Sequence, residues 1–565
     1  MNKWKWGAIA TIAVGLISIP LLQQGQESTV SNREKQVFKD QTVIGKQKDN
    51  LNQRINNNNE EGSDLPGWLE AKLKNYEEKL PDLLERTRGT VLYVPADKNN
   101  PFDFDKWTVE YSSKNTKQQS GSSSIINLEM FAKTGEIINY RYHQNAFAPN
   151  KTNETVPDEK AIEVATDFIQ MNYGKDAEYF TKPQIFGRSY DGTLGNVKIV
   201  GFYRLIHGIP YDLLFTTVKV NHEGRIVSVW ASPLHQEDVP KLPDPESAMT
   251  EQQARVRWGH LQNVELVYFD FSTFNSIISE EKRKIGTELI YQPTYFGTID
   301  AISGERIGIS IDEQEPQLVT FAGKGTMPLL KTKEDVANTI QKLFGEKLTA
   351  QQLNDIEQRG TSMDWFVDIE GSSYFFEIEN GSIVYMNAQR SETESTENPT
   401  FITEEEAYQS MIQFLEKISS EKELLLRNVS TPDDKLIPDW VDKSKIKEIG
   451  YSSYTFEFMN TFQGIPVQGK PIRIHVDAAT GQISTAQLNG LSIDKKKLPS
   501  VKPAITKEEA KKRILDNQVL QLAYYWEQYD TQRAPEPRIF WGLAPTSESS
   551  YLDANTGKWI SITLN

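Results

Sequence analysis

The sequence predicts an α+β fold in which tandem units, each a helix packed on an antiparallel sheet, follow one another in two duplicated halves. The first observation is that residues 201–226 return in similar form as residues 454–483. Both stretches alternate apolar and polar residues around a Gly-Ile-Pro string and end at a glycine turn, which is typical of paired antiparallel strands. Short helices precede such strands, and a helix followed by an antiparallel meander indicates α+β architecture rather than a wound parallel sheet.

The duplication extends beyond the sheet. Three separate pairs of matching residues stand 256 positions apart in the chain, and a Lys-Leu-Pro string recurs around the second pair. The pairs are Gly208 with Gly464, Leu242 with Leu498, and Thr250 with Thr506. Since three independent matches share one offset, we interpret them as an internal duplication.

A smaller repeat lies inside each half. Helix starts show Thr followed three residues later by Glu or Gln, the capping-box pattern, at Thr250/Gln253, Thr403/Glu406 and Thr506/Glu509. Thr332/Asp335 and Pro157/Lys160 are weaker versions. Strand pairs then finish at tight glycine turns, at Gly135, Gly224, Gly304, Gly381, Gly481 and Gly557. We therefore predict six helix-plus-sheet units, three in each half.

These signals give predicted boundaries. Proline and charged residues collect in the linkers, and the boundary between the halves is expected near residues 312–331. The predicted segments are 1–22, a membrane anchor or signal; 23–65, a disordered tether; and six units at 66–150, 151–240, 241–315, 316–392, 393–495 and 496–565.

The amino terminus predicts export. Lys3 and Lys5 precede an apolar run at residues 7–22, so the positive-inside rule places the rest of the chain outside the membrane. Two interpretations remain open: an uncleaved anchor, or a cleaved secretory signal whose short apolar run lacks a small-x-small cleavage site. Residues 23–63 are rich in Gln, Asn, Lys, Glu and Ser and read as a solvated tether.

Composition excludes several kinds of chemistry. The net charge of −16 argues against nucleic-acid binding, which needs a basic face. The chain has no Cys and six His, so thiol catalysis, iron–sulfur clusters and Cys-built zinc sites are absent. No His pair has metal-ligand spacing, and His222 and His475 are expected in or beside turns. We nominate no catalytic, cofactor-binding or metal-binding residue, expect no cofactor, and expect no enzyme activity.

Two short strings have alternative interpretations. Ser419 to Lys422 fits SxxK and Lys133 to Gly135 fits KTG, but their order is reversed relative to β-lactamases and no SDN lies between them, so we interpret them as coincidence. Arg204 and Tyr211 flank the first Gly-Ile-Pro, whereas Asn460 and Val467 stand in the second copy. For Arg204, a cross-strand role on an exposed sheet face is favoured over binding of an acidic partner group.

Two aromatic clusters carry a further alternative. Residues 268–271 with Phe274, and residues 524–526, are interpreted as core, although exposed rings could stack on cell-wall glycan. Burial of these rings favours a protein-binding function, whereas exposure of the rings favours a wall-binding function.

The Gly-Ile-Pro string, the strand ending Asp-Ala-Ala-Thr-Gly-Gln and the preceding Thr-Glu-Glu-Glu-Ala helix resemble the PepSY-like repeat. The doubled form behind an amino-terminal anchor resembles the YcdB/YcdC repeat family of Gram-positive cell envelopes, over most of residues 68–565. PepSY modules occur in propeptides of thermolysin-like metalloproteases and in membrane-attached proteins thought to restrain extracellular proteases. The resemblance brings no catalytic residues, and no His-Glu-x-x-His helix follows the modules here.

We therefore expect a non-enzymatic, extracellular, membrane-tethered protein that binds an envelope or secreted protein, with a secreted protease as the leading candidate. The expected mechanism is strand addition at a sheet edge. The alternative is a cell-wall-associated scaffold or sensor ectodomain, and a hydrolase using exposed carboxylates is the least favoured reading. The sequence leaves the oligomeric state open.

Overall fold

The structure is a computed structural model. It describes residues 65–563 apart from gaps at 98–102, 114–123, 145–153, 192–194, 233–240, 272–285, 295–296, 308–315, 360–363, 370, 391–400, 431–437, 439, 447–452, 530–531 and 545–547. The predicted anchor, and the predicted tether up to residue 64, lie outside the described residues. Among the helices that are described, none is long and apolar enough to span a membrane.

The described helices are short and lie between groups of strands. They are α1 (Gly67–Lys79), α2 (Pro81–Leu84), α3 (Asp158–Tyr173), α4 (Glu251–Leu261), α5 (Lys333–Phe344), α6 (Ala350–Asn354), α7 (Glu404–Ile418) and α8 (Lys507–Asn517).

The strands make up most of the described structure. In the first part of the chain they are β1 (Arg86–Val94), β2 (Lys106–Ser113), β3 (Ser124–Phe131), β4 (Ile137–Gln144), β5 (Gln184–Asp191), β6 (Gly195–Ile206), β7 (Ile209–Asn221), β8 (Ile226–Ala231), β9 (Val264–Asp270), β10 (Thr287–Pro293), β11 (Thr298–Asp300), β12 (Arg306–Ile307) and β13 (Gln317–Thr320). The remaining strands are β14 (Glu357–Arg359), β15 (Asp364–Ile369), β16 (Ser372–Glu379), β17 (Ser382–Arg390), β18 (Glu423–Ser430), β19 (Ser453–Phe462), β20 (Ile465–Asp477), β21 (Ile483–Gln487), β22 (Leu520–Tyr525), β23 (Gln528–Tyr529), β24 (Gln532–Arg533), β25 (Arg538–Leu543), β26 (Glu548–Asp553) and β27 (Trp559–Thr563).

The chain forms two compact units, and both are α+β as predicted. Among the described residues, the N unit consists of those from Leu65 to Ala248 together with those from Val519 to Ala544, and the C unit of those from Met249 to Gln518 together with Glu548 to Thr563. Each unit thus combines one repeat with a segment from the other half of the chain.

The sheet of the N unit follows the order β1-β2-β3-β4-β8-β7-β22-β25, and β6 and then β5 pair along the other side of β7. Its core lies between this sheet and the buried faces of α1 and α3. Leu73 and Tyr76 from α1 and Ala161 and Ala165 from α3 belong to that core and are fully buried. A helix whose apolar residues form one stripe packs on a sheet in this way.

The C unit repeats this arrangement. Its 13-stranded sheet follows the order β14-β15-β16-β17-β21-β20-β9-β10-β26-β27, with β19, β18 and β13 on the other side of β20. The core under α7 contains Ala407, Met411 and Leu415, which are fully buried. A second core lies where Ala510 and Ile514 of α8 pack against β9 and β10.

The Gly-Ile-Pro strings lie at the starts of strands that follow two-residue hairpin turns. His207 and Gly208 have φ values of 51° and 75°, and Gln463 and Gly464 have 53° and 76°. Positive φ at both turn residues defines the type I′ hairpin that suits twisted strands. The sequence interpretation placed a break at Gly-Ile-Pro, whereas the reversal is made by the residue before the glycine and the glycine itself.

The turn and cap predictions are largely confirmed. All six predicted turn glycines have φ between 67° and 82°. Complete capping boxes form at Thr250 and Thr403. Thr332/Asp335, which we ranked as weaker, also forms a complete box, because an Asp side chain reaches back to the N-cap amide as Glu does. In contrast, Thr506 caps its helix on one side only, and Pro157 has no side-chain cap.

Among the strand pairs with a described register, all are antiparallel except two parallel pairs, and both parallel pairs join different halves of the chain. In the N unit Tyr211 of β7 pairs with Tyr524 of β22, and in the C unit Val467 of β20 pairs with Tyr268 of β9. The differences 467 − 211 and 524 − 268 both equal 256, so the two pairs are equivalent in the duplication. The two repeats therefore exchange a strand segment with each other.

The recurring Lys-Leu-Pro string belongs to these junctions. The hydroxyl of Tyr524 donates a hydrogen bond to the carbonyl oxygen of Pro243 at 3.1 Å, and the hydroxyl of Tyr268 donates one to the carbonyl oxygen of Pro499 at 3.0 Å. Each exchanged strand is thus hydrogen-bonded to the Lys-Leu-Pro linker of the unit whose sheet it joins.

Candidate interaction edges of the two sheets

One sheet edge in the C unit already holds an extended segment of the chain. Strand β13 pairs antiparallel with β18, from Gln317 opposite Leu426 to Thr320 opposite Glu423. β13 comes from the segment that joins the halves and precedes α5. The predicted boundary at residues 312–331 is therefore partly a sheet strand.

The occupying segment inserts alternate side chains into the core. Val319 is 6% exposed and belongs to the core of the C unit, whereas the preceding Leu318 is 55% exposed. Phe321, two residues after Val319, is also packed against that core. This alternation is what a strand with one buried face requires.

Main-chain hydrogen bonds continue past the end of β13. The amide of Phe321 donates to the carbonyl oxygen of Lys422 at 3.0 Å, and the amide of Gly325 donates to the carbonyl oxygen of Ser419 at 3.0 Å. A Cβ at Gly325 or at Gly323 would overlap neighbouring backbone atoms, so glycine is required for this close approach. The segment thus follows β18 and then the end of α7.

The N unit contains the equivalent edge. The Thr181 amide donates to the Tyr203 carbonyl oxygen at 2.8 Å, and Leu425 lies opposite Met459, which is 256 positions after Tyr203. Thr181 therefore corresponds to Leu425. We call residues 180–185, which lead into β5 and include its first two residues, the N edge.

The N edge carries no further strand among the described residues. β5 pairs with β6 alone within the described ranges. Phe180 and Ile185 are only partly buried, although both pack against the core, and the neighbouring Tyr179 is 44% exposed. At the occupied edge the residue equivalent to Phe180, Leu424, is fully buried. The N edge thus presents apolar surface that its counterpart covers.

Arg204 supports the N edge from the adjacent strand. It is a cross-strand partner of Tyr211, forms a bridge with Phe180, and its guanidinium lies 5.9 Å from the centre of the Phe180 ring. The predicted cross-strand role is confirmed, but the expected exposure is wrong, because Arg204 is 8% exposed. Its counterpart Asn460 is 1% exposed and donates a hydrogen bond to the carbonyl oxygen of Gly490.

Two titratable groups lie in strands that border the exchanged segments. Burial raises the pKa of Asp212, the residue after Tyr211, to about 7. Burial, and then the charge of Arg473, lower the pKa of His475 to about 4. His475 lies within β20, with Nδ1 2.9 Å from the Thr455 hydroxyl, while His222 lies in a turn as predicted.

The motif-like strings have structural roles. The backbone of buried Ser419 receives Gly325, and its hydroxyl accepts a hydrogen bond from the Glu421 amide, while Gly135 belongs to a hairpin turn. The two strings lie in different units. Within the described ranges, no group of three or more His, Asp or Glu side chains has metal-binding geometry.

The described rings of the two aromatic clusters are core except for Trp526, which is partly buried with the guanidinium of Arg533 4.8 Å from the centre of its ring. Tyr268 and Tyr524 are fully buried, and Phe269, Phe271 and Tyr525 are at most 6% exposed. Phe274 lies outside the described residues. These five buried rings therefore do not form a surface on which a sugar could stack.

Comparisons with known proteins identify the repeat. The YcdB, YcdC repeated domain matches residues 100–228 and 367–490, one copy in each half. Among solved structures, the chain resembles the Bacillus megaterium YpeB C-terminal domain, with 13% identity and a TM-score of 0.26, over 43% of this chain and 96% of that one. No curated protein matches the chain.

Proposed function

We propose that this protein, which carries two YcdB/YcdC repeated domains, is a non-enzymatic binding protein tethered outside the cell membrane through residues 1–22. It restrains or chaperones a secreted protease or another envelope protein. The mechanism is addition of an extended segment to a sheet edge, which gives affinity through main-chain hydrogen bonds and selectivity through alternate side chains.

The observation that carries this proposal is β13 on β18. There a segment from outside the repeat is held by strand pairing, by the burial of Val319 and by the packing of the partly buried Phe321 against the core. The same repeat in the N unit has an edge without such a strand among the described residues. The burial of Tyr268, Phe269, Phe271, Tyr524 and Tyr525 removes these rings from the wall-binding alternative, since stacking on glycan needs exposed rings.

The test is affinity capture with residues 27–565 from an extract of Gram-positive envelopes and culture supernatant, with mass spectrometry of the retained proteins. We expect a secreted protease to be enriched, and its cleavage of a peptide substrate to slow when the protein is added. Sedimentation with purified cell wall, without any retained protein, would support the scaffold alternative instead.

A further inference from the structure

We infer that the N edge, residues 180–185, is the acceptor for an extended peptide segment of a partner protein, bound antiparallel with apolar side chains at every second position. The inference deepens the proposed function and depends on it for the identity of the partner. The acceptor site itself is argued from the two repeats.

The first step is the equivalence of the edges. Thr181 and Gln184 lie opposite Tyr203 and Gly201, while Leu425 and Asn428 lie opposite Met459 and Glu457. Both comparisons give the offset of 256, and both strands are irregular between the two paired residues. A segment that fits the occupied edge therefore meets a similar backbone path at the N edge from Thr181 to Gln184. The path differs before Thr181, because residues 174–179 form a 3₁₀ helix and the Phe180 amide donates to the carbonyl oxygen of Ala177 at 3.2 Å.

The second step is the nature of the occupant. β13 presents Val319 inward and Leu318 outward, and Phe321 continues the inward row. At the N edge, the inward side chains of a bound peptide would pack against Phe180 and Ile185, which are partly buried. The matching ligand is a short extended peptide with apolar residues at positions i and i+2.

The third step concerns the source of that peptide. β13 precedes α5 by about a dozen residues, so the equivalent segment of the first repeat precedes α1. Residues 49–63 stand there, with Leu51 and Ile55 as their only large apolar residues and with four consecutive Asn. Asn is depleted in strands, so this sequence is a poor substitute for Gln-Leu-Val-Thr-Phe. The composition favours a partner's segment over the chain's own.

The experiment uses disulfide trapping, because the chain has no Cys and a single introduced thiol is unique. The probe is a synthetic peptide with the sequence of residues 317–325. Lys182→Cys places a thiol at the N edge, and the matched control Glu423→Cys places one at the occupied edge, where both native side chains are exposed. Each peptide carries Cys at the position expected opposite: Gln317 for Lys182 and Thr320 for Glu423.

We expect the peptide to couple to Lys182→Cys about tenfold faster than to Glu423→Cys, because a bound peptide has a raised effective concentration. A peptide with Asp in place of Val319 should couple at the control rate. Equal rates at both thiols, or no effect of that Asp, would overturn the acceptor site.

A second variant of the full chain tests the source of the segment. Removal of residues 27–62 from the Lys182→Cys chain should leave the coupling rate unchanged. A rate increase of about tenfold would show that the chain's own segment occupies the N edge and would overturn the assignment to a partner. Capture of a protease that leaves peptide coupling unaffected would keep the proposed function and remove the N edge as its site.

Discussion

The two units build the same strand-exchange junction with different side chains. In the C unit Val467 receives Tyr268, and the guanidinium of Arg427 binds both carboxylate oxygens of Glu265 on the exchanged strand, at 2.8 and 3.0 Å. In the N unit Tyr211 pairs with Tyr524 of the exchanged strand. Pro183 is the residue equivalent to Arg427, and Asp212 is the next residue after Tyr211. Both units have the same strand register and the same buried tyrosine on the exchanged strand, Tyr524 or Tyr268, which we call the tyrosine anchor. The polar side chains around the junction differ between the units.

The largest expected effect tests whether each tyrosine anchor stabilises the unit that receives it. Tyr524→Ala should destabilise the N unit and Tyr268→Ala the C unit, each by about 3–5 kcal/mol, because both side chains are fully buried. Hydrogen exchange should show lost protection in β6 and β7 for the first variant and in β19 and β20 for the second. Tyr93→Ala, at a side chain that is 48% exposed, is the control.

The pH dependence should be opposite in the two units. The raised pKa of Asp212 means that the folded N unit disfavours the charged carboxylate, so its stability falls as pH rises from about 4 to about 7. The lowered pKa of His475 means that the C unit loses stability as pH falls from 6.5 to about 4. The change should reach about 4 kcal/mol for Asp212 and about 3 kcal/mol for His475.

Hydrogen exchange at several pH values, corrected for the intrinsic rate, measures both changes. Asp212→Asn should remove the dependence in β7, and His475→Asn the dependence in β20, each without effect on the other unit. A parallel response of β7 and β20 to pH, unchanged by the two substitutions, would contradict the assignment of these groups.

The Arg427–Glu265 pair should stabilise the C unit alone. The two side chains are 13% and 21% exposed, so Arg427→Ala leaves a largely buried carboxylate and should cost about 2 kcal/mol. Urea unfolding, monitored by hydrogen exchange of the β9 amides, measures the loss of free energy of unfolding. Arg473→Ala, which breaks a more exposed pair with Glu457, is the matched control and should cost less than about 1 kcal/mol.

The smallest effect separates the tyrosine hydroxyl from its ring. Tyr524→Phe and Tyr268→Phe each remove one hydrogen bond to a proline carbonyl oxygen and keep the packing, so each should cost about 1 kcal/mol. Chemical unfolding of the two variants gives the values. A cost near that of the Ala variants would show that the hydroxyl rather than the buried ring fixes the junction.

The sequence predicted what is encoded locally. Turn glycines such as Gly135 and Gly481 need positive φ, and Thr403 and Glu406 form a cap over four residues, so each signal is complete within a short window. The duplication was also predictable from the sequence, because three matching pairs of residues share the offset of 256.

The exchange of strands could not be predicted in this way. Tyr268 and Val467 are 199 positions apart, and a parallel pair has no hairpin signal in the sequence. The aromatic clusters gave the right burial, because strands covered on both faces are apolar throughout, but not the strands that they contact. For β13, the apolar Gln-Leu-Val-Thr-Phe string inside a predicted linker was the signal that sequence reasoning missed.

The most direct test of reciprocal exchange is to cut the chain between residues 233 and 240 with an inserted protease site and to follow the fragments by size-exclusion chromatography under native conditions. The account predicts that the fragments elute together, because residues 519–547 supply β22 and β25 to the N unit, and that Tyr524→Ala promotes their separation. Separation of the cut wild-type chain into two folded fragments would contradict it.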